Sequence, residues 1–302
     1  MIKSNVNYVL YNSKKIPYYL RECISNIKKV ESNSNTYLVS DEKTNYGGVF
    51  SIISSEITSP QTREIIERNI YKDTNYEKNP LWDTSLVRIF ILRDFVGNYK
   101  LENVIHFDND VLVYIEAEKL FNSFTKEKVN ITRVNENQLV FGYSYFQNFE
   151  ILDNLCNKLY EVIIKDINTS DWKSYPKNEM KLLASVYKNN PELFNILKSS
   201  PEKNTNYIFD PATYGQIIGG THYRPRRLIP QRYYKIGSVD TRKRYLPRGG
   251  WLDESHEIKN KFLSDESRLV FKNNRPILEN KNGTHKLVNL HIHSKELAKY
   301  KL

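Results

Sequence analysis

The sequence predicts an α/β fold in which helices flank a mostly parallel sheet. The first observation is an apolar strand over residues 6–10, a helix that begins at Pro17, and a second strand over residues 37–41. This strand–helix–strand order is typical of parallel strands joined by a crossover helix. The order recurs where an apolar helix over residues 83–95 leads into an apolar strand over residues 103–107. Finally, 302 residues, 39% of them hydrophobic, supply a core for one large unit or two closely packed lobes.

The later elements follow from the same periodicities. The helix over residues 83–95 is apolar nearly all round, which predicts that it is buried between layers. Ser294 is predicted to cap a terminal helix that ends near Tyr300. The strand over residues 103–107 is expected to continue through residues 111–115. The other predicted elements are strands over residues 49–53, 139–146 and 287–293, and helices over residues 152–163, 180–187 and 193–197.

Composition narrows the class of protein. The 45 Lys and Arg residues against 35 Asp and Glu give a formal charge of +10, which favours anionic partners, although an AT-rich genome also enriches lysine. The two cysteines, Cys23 and Cys156, exclude a disulfide framework and a cysteine-rich zinc site. The longest apolar run, residues 86–92, is too short to cross a bilayer. These features predict a cytoplasmic protein without an integral membrane segment, with peripheral attachment to a membrane surface as the alternative.

The sharpest chemical signal is Asp108-Asn109-Asp110, which follows the apolar strand over residues 103–107. Ligands of parallel sheets bind beyond the carboxyl ends of the strands. Two carboxylates one residue apart at such a bend can both turn toward one hard divalent cation, and oxygen ligands suit Mg²⁺ or Mn²⁺. A solvated turn is the alternative, and the strand context favours the metal site.

Several segments carry a resemblance to the GT-A glycosyltransferases, which use nucleotide-diphospho-sugars and an Asp-x-Asp metal motif. Residues 16–27 resemble the first helix of that fold, residues 37–41 its second strand, and residues 81–90 the helix before the metal strand. Residues 103–114 are the best match. The order and spacing agree to about residue 115, and the likeness thins beyond it.

The resemblance implies a single GT-A-like domain over residues 1–302 with a Rossmann-like sheet. Its donor-nucleotide half would extend to about residue 125 and its acceptor half from about 126 to 302. The implied activity is transfer of a sugar from a nucleotide-diphosphate-sugar donor to a hydroxyl of a glycan, glycolipid or protein acceptor, with Mn²⁺ or Mg²⁺ as cofactor. Asp108 and Asp110 would serve as the catalytic metal ligands, and Asn109 would lie against the bound cofactor.

The second constellation is His291-Ile292-His293, followed by Lys295. Strand alternation places both histidines on one face. The resemblance implies that a histidine here completes the metal shell and that a nearby lysine, Lys295 or Lys299, holds the diphosphate. The glycine usual between such residues in glycogenin-like enzymes is absent, so which histidine binds metal stays open. The same string opens metal-dependent hydrolases, but its place ten residues from the C-terminus leaves no room for their barrel. Exposed strand histidines are the remaining alternative for one of the pair.

Three further charged residues are candidates for donor or acceptor contacts. Arg88 lies within the apolar helix and needs a partner, which is either a protein carboxylate or a donor phosphate. Asp41 follows the second strand and could accept from a base or a ribose, or simply end that strand in a turn. Glu179 opens a predicted helix where the related enzymes hold an acceptor-side acid, and acids are also common there for dipole reasons.

Two later segments complete the prediction. Asp210 and Gln216, together with Gly219 and Gly220, resemble the lining of a sugar pocket, since glycines permit close approach and polar side chains read hydroxyls. Residues 223–248 interleave arginines with tyrosines, including Arg224, Arg226 and Arg227, and are taken as a surface for the acceptor or a membrane. Nucleic acid is disfavoured because no nucleic-acid-binding motif is present. The alternative function is a non-enzymatic protein that binds glycans or nucleic acid through this segment.

Overall fold

The computed structural model describes residues 6–13, 15–219 and 267–302. The strands are β1 (Asn7–Asn12), β2 (Asn35–Ser40), β3 (Phe50–Ile53), β4 (Val104–Phe107), β5 (Val111–Val113), β6 (Val129–Asn135), β7 (Gln138–Phe146), β8 (Phe194–Ile196), β9 (Tyr207–Ile208), β10 (Arg268–Lys272), β11 (Arg275–Asn280), β12 (Gly283–Leu287) and β13 (Asn289–His291). The helices are α1 (Leu20–Val30), α2 (Ser54–Ile57), α3 (Pro60–Arg68), α4 (Pro80–Tyr99), α5 (Phe149–Ile167), α6 (Glu179–Asn189) and α7 (Tyr214–Gly219).

The main sheet has, among the described residues, seven strands in the order β3-β2-β1-β4-β7-β6-β8. β1 pairs in parallel with β2 and with β4, β2 with β3, and β6 with β8. β7 is antiparallel to both of its neighbours, β4 and β6, and is the strand of this sheet that runs against the others. The predicted α/β fold with a mostly parallel sheet is therefore confirmed.

Both faces of the sheet are covered, and this explains why successive residues of β1 are apolar at its centre. In β1, Tyr8 and Leu10 pack into a cluster with α1, whereas Val9 and Tyr11 pack into a second cluster with α4 and α5. A strand buried on both faces reads as a continuous apolar run and not as an alternating one. The same reason accounts for α4, whose residues 86–96 are all buried, as its composition predicted.

Local signals fix where α4 begins and ends. The side chain of Asn79 accepts a hydrogen bond from the backbone of Leu81, and Pro80 occupies the first helical turn. Both are favoured at a helix start. The helix ends at Lys100, whose φ of 49° lies in the left-handed region. The chain then turns into β4. Because β4 runs parallel to β1, the motif that follows β4 lies at the carboxyl edge of the sheet.

Two smaller sheets bring the end of the described chain back to that edge. One contains β10, β11, β12 and β9, and the other pairs β13 with β5 in antiparallel register, with His291 opposite Val111. β5 is therefore a separate strand in its own sheet, and the prediction that it continues β4 is wrong. The reason is the turn over residues 108–110, closed by a hydrogen bond from the Val111 backbone to the Asp108 carbonyl.

Other predicted elements need correction near the C-terminus. The strand predicted over residues 287–293 is two strands, because β12 ends at Leu287 and β13 begins at Asn289. Ser294 caps no helix: a 3₁₀ turn spans Leu297–Lys299, and Glu296 precedes it. The helix predicted over residues 193–197 is the strand β8, which β6 recruits into the sheet. Within the three described ranges, no helix has the length and apolar character needed to cross a membrane.

Candidate metal centre

A cleft of about 720 Å³ opens at the carboxyl edge of the main sheet. It is the place where the fold class predicts a ligand site. The predicted site residues that line it are Arg88, Asp108, Asn109, Asp110, Glu179, His291, His293 and Lys295. They come from α4, the turn after β4, the start of α6 and the segment after β13. The sequence-predicted cluster is therefore assembled in space from four distant parts of the chain.

The turn over residues 108–110 is anchored by its middle residue. The side-chain amide of Asn109 donates to the Tyr11 carbonyl at 2.9 Å and to the Asn12 side-chain oxygen at 3.2 Å. This attachment to the end of β1 leaves Asp108 and Asp110 to face His291. Asn109 thus has a structural role in the turn, and its contact with a cofactor stays a prediction.

Asp110 lies at the centre of the charged cluster. The residue is 4% exposed, and its carboxylate lies 2.9 Å from His291 Nε2 and forms an ion pair with the ammonium of Lys295. Burial alone would raise the pKa of Asp110, but His291 and Lys295 outweigh burial and hold that pKa well below its usual value. Asp110 is therefore ionised at neutral pH. Lys295 lies in a left-handed conformation, with a φ of 62°, which aims its side chain back toward the cleft.

Asp108 and Glu179 share one buried cation. Arg88 forms an ion pair with the Asp108 carboxylate, and its Nη2 lies 3.4 Å from Glu179 Oε1. Burial lowers the pKa of Arg88 and raises that of Glu179 to about 7, while Arg88 opposes the rise at Glu179. Of the two partners that the sequence allowed for Arg88, the structure supplies protein carboxylates. The guanidinium nevertheless lines the cleft, so it lies within reach of a bound ligand.

The donor atoms of this cluster fit a divalent metal. His291 Nε2 lies 2.9 Å from Asp110 Oδ1 and 3.6 Å from Asp108 Oδ2, and donor atoms of Asp110, His291 and His293 all lie within 4.8 Å of one another. The two imidazole rings stack with centroids 4.3 Å apart, but β13 ends at His291 and the His293 N–H donates to the His291 carbonyl at 3.1 Å, so a turn and not strand alternation sets the place of His293. Carboxylate oxygens and imidazole nitrogens both ligate divalent metals, so the mixed set fits a divalent cation.

Gly142 leaves the space that the Asp108 carboxylate occupies. A Cβ at this position of β7 would lie 2.6 Å from Asp108 Oδ2 and 3.4 Å from His291 Cε1. Sequence reasoning missed Gly142, because a glycine within a strand signals close approach without naming the neighbour. It also missed Tyr11 and Asn12, which line the cleft. Their place at the end of β1 is the signal that could have found them.

Other predicted residues lie apart from the cluster. Asp41 is exposed at the end of β2, where its carboxylate accepts from Ser54 Oγ at 3.0 Å. Gly219 is the last residue of α7, and Gly220 lies outside the described residues. The basic segment over residues 223–248 lies outside them as well.

Asp210 does not face the cleft, and this corrects its predicted role. Its carboxylate accepts only backbone N–H groups among the described contacts, at 2.6–2.9 Å, from Thr213, Tyr214, Gly215 and His291. Gln216 is also turned inward and donates to the Ala212 carbonyl at 2.7 Å. The polar segment that resembled a sugar pocket is thus held by its own backbone.

Glu179 is expected to make the stability of the fold depend on pH. With a folded pKa of about 7 against 4.5 for the unperturbed group, the folded state binds more protons between these values. Its contribution to stability is therefore present below pH 4.5 and lost as the pH rises to about 7, by on the order of 3 kcal/mol. Urea unfolding at about pH 5 and about pH 8 should show a smaller pH dependence in Glu179→Gln. An identical pH dependence in both proteins would contradict the burial argument.

The chain shows low sequence identity to known proteins, whereas its similarity to solved structures covers more of the chain. No family model matches the chain. A curated protein of Haemophilus parainfluenzae, named negative modulator of initiation of replication, is 23% identical over 125 residues, which cover 40% of this chain. The matched region spans 58% of that relative's length.

The similar solved structures are glycosyltransferases. Mouse xyloside xylosyltransferase 1 gives a TM-score of 0.45 at 12% identity, over 70% of this chain and 90% of that one. The galactosyltransferase LgtC, solved with donor and acceptor sugar analogues, gives 0.42 at 8% identity over 80% and 84%. The glycosyltransferase GlyE of Streptococcus pneumoniae gives 0.40 at 13% identity over 65% and 46%. At such identities the comparisons assign no substrate to this chain. The chain thus has an α/β fold, and the three solved structures named here are glycosyltransferases.

Proposed function

We propose that the protein is a metal-dependent glycosyltransferase that moves a sugar from a nucleotide-diphosphate-sugar donor to an acceptor hydroxyl. The observation that carries the proposal is the convergence of Asp108, Asp110, His291 and Lys295 in one cleft at the carboxyl edge of the sheet. The cluster offers both carboxylate ligands for a metal and a lysine beside them. That combination suits a diphosphate, whose charge needs more than one cation.

The residues divide the work of sugar transfer between them. Asp108 and Asp110 would hold Mn²⁺ or Mg²⁺ with His291, and His293 is stacked on that histidine as a further ligand. When bound, the metal would neutralise the charge that collects on the diphosphate as the glycosidic bond breaks. The ammonium of Lys295 adds a second positive charge on the same side of the cleft.

Two buried residues, Arg88 and Glu179, are assigned to activation of the acceptor. Arg88 fixes the Asp108 carboxylate and leaves Glu179 as a group that can hold a proton, because the pKa of Glu179 is raised to about 7 by burial. A general acid or base works best when its pKa lies near the working pH. Glu179 is thus our candidate for exchanging a proton with the acceptor hydroxyl. Three points stay predictions: that the acceptor is a glycan, glycolipid or protein, that the domain divides into halves near residue 125, and that the protein is cytoplasmic.

Thermal shift with a panel of nucleotide-diphosphate sugars tests the function directly. We expect the melting temperature to rise with one donor, and only when Mn²⁺ or Mg²⁺ is present, because a ligand that binds the folded state stabilises it by mass action. The stabilising donor should then be hydrolysed slowly or transferred when acceptors are added. A chain that binds no metal and consumes no donor would overturn the proposal.

The same protein tests the alternative that residues 223–248 bind nucleic acid or glycans without chemistry. A binder of nucleic acid would hold DNA or RNA with an affinity that falls steeply with salt, since Lys and Arg displace counterions. Replacing Arg224, Arg226 and Arg227 by Gln would remove that affinity. On our proposal the triple variant instead raises KM for the acceptor or lowers turnover.

Gly142→Ala is expected to weaken metal binding without removing any ligand. The new methyl would lie 2.6 Å from Asp108 Oδ2, so the carboxylate must move away from its place beside His291. We expect Kd for Mn²⁺, measured by calorimetry, to rise by roughly tenfold or more. Gly97→Ala is a matched control, because its methyl would lie 2.7 Å from the Phe149 ring at the far end of α4. Equal affinities in the two variants would show that Gly142 does not make room for a ligand.

A further inference from the structure

Asp210 holds the backbone of His291, the histidine that faces Asp108 and Asp110. This aspartate is 2% exposed, and its Oδ2 accepts from the His291 backbone N–H and from the Gly215 backbone N–H, both at 2.9 Å. Its other oxygen accepts from Thr213 and Tyr214 at 2.6 Å and 2.8 Å. One carboxylate therefore ties the start of α7 to β13.

The opposite side of β13 is held by different atoms. The Ile292 backbone N–H donates to the Asp110 carbonyl at 2.8 Å, and β13 pairs with β5 on that side. Because backbone N–H groups alternate along a strand, the His291 N–H points away from β5 and toward Asp210. Without the carboxylate, this buried donor would lose its partner, which is unfavourable for the folded state.

Two further contacts fix Asp210 itself. The side chain of Asn289 accepts from the Asp210 backbone N–H at 3.0 Å and donates to the Asp210 carbonyl at 3.2 Å. Gly215 lies so close to His291 that a Cβ on it would clash with the His291 carbonyl. At Gly215 the segment over residues 210–215 therefore approaches β13 backbone to backbone.

We propose that Asp210 is a positioning residue for the metal site, which acts by holding the His291 backbone so that the imidazole faces Asp108 and Asp110. The inference rests on the proposed metal-dependent function. It does not follow from that function, because Asp210 touches none of the proposed donor atoms. Outer groups that orient a metal ligand typically change metal affinity by 10–100-fold when they are replaced.

Asp210→Asn in the full chain tests the inference. An amide presents one acceptor oxygen, so it can satisfy either Gly215 and His291 or Thr213 and Tyr214, and it must turn its own N–H₂ toward the other pair of donors. We expect Kd for Mn²⁺, measured by calorimetry on the protein alone, to rise by about tenfold or more while the chain stays folded. Asn148→Ala is the matched control: it removes a helix cap, whose side chain accepts from Ile151 at 3.3 Å at the start of α5. The control should leave the Kd unchanged.

The outcomes separate this inference from the proposed function. Wild-type protein that binds no Mn²⁺ would remove the metal site, and with it both proposals. Wild-type binding with an unchanged Kd in a folded Asp210→Asn protein would overturn the positioning role alone. If the variant does not fold, hydrogen exchange of the His291 amide in the wild type decides the matter. Strong protection of that amide supports the contact with Asp210, and rapid exchange overturns it.

Discussion

Replacing Asp110 with asparagine is expected to abolish metal-dependent binding of the sugar donor. Asp110 is the carboxylate that both His291 and Lys295 contact, so the substitution removes a metal ligand and the charge that holds the lysine. We expect donor affinity and turnover to fall by roughly 100-fold or more. Calorimetry with Mn²⁺ and donor, followed by a donor-hydrolysis assay, measures both quantities on one preparation.

The same substitution should also lower stability, because Asp110 is 4% exposed and forms an ion pair with Lys295. Because its pKa is lowered in the folded state, its contribution is present at neutral pH and is lost as the pH falls toward the acid range. Binding must therefore be measured well below the melting temperature of the variant.

An exposed aspartate provides the control for this experiment. Asp171 lies on the surface after α5, so Asp171→Asn changes the net charge equally without reaching the cleft. Its donor affinity should equal that of the wild type. If Asp110→Asn bound donor and turned it over as well as Asp171→Asn, the mechanism proposed here would be wrong.

Arg88→Met is expected to destabilise the fold by about 3–5 kcal/mol, because it leaves the buried Glu179 and the partly exposed Asp108 without their cation. Asp108 forms an ion pair with Arg88, and Glu179 lies 3.4 Å from it. Methionine keeps much of the apolar volume within α4, so the loss should report on charge more than on packing. Urea unfolding at neutral pH measures the change in the free energy of unfolding.

A double-mutant cycle separates charge from packing. In a chain that already carries Glu179→Gln, one of the two unpaired carboxylates is gone, so Arg88→Met should cost less than it does in the wild type. The difference between the two costs is the coupling energy of Arg88 with Glu179. If the two effects add without coupling, Arg88 is not shared between the carboxylates in the way that the structure indicates.

The first half of the fold was predictable because its signals are local. β1, α1, β2, α4 and β4 each show a run or a periodicity that fixes their type, and crossover handedness then sets their order in the sheet. The Asp108 and Asp110 pair was found for the same reason, since its position after β4 places it at the ligand edge. What failed nearby was the turn itself: residues 111–115 are as apolar as β4, and periodicity cannot show that the chain has left the sheet.

The rest of the site depends on contacts between distant segments. Alternation predicted that His291 and His293 share a side, but their approach to Asp110 depends on the pairing of β13 with β5. No local pattern specifies that pairing. Asp210 was misinterpreted because an aspartate that holds the start of a short helix and one that reads a sugar hydroxyl occur in similar sequence. The three-residue spacing to the N–H of Thr213 was the signal for the former.

The return of β13 to the turn after β4 determines when the site can exist. Lys295 and Asp110, which form an ion pair, are 185 residues apart in the chain. As a chain leaves the ribosome, its earlier segments can fold first, and contacts of long sequence separation form last. The parallel strands could thus be in place while the site around Asp108 and Asp110 still lacks His291 and Lys295. A growing chain could therefore bring Asp110, His291 and Lys295 together only after β13 has been made.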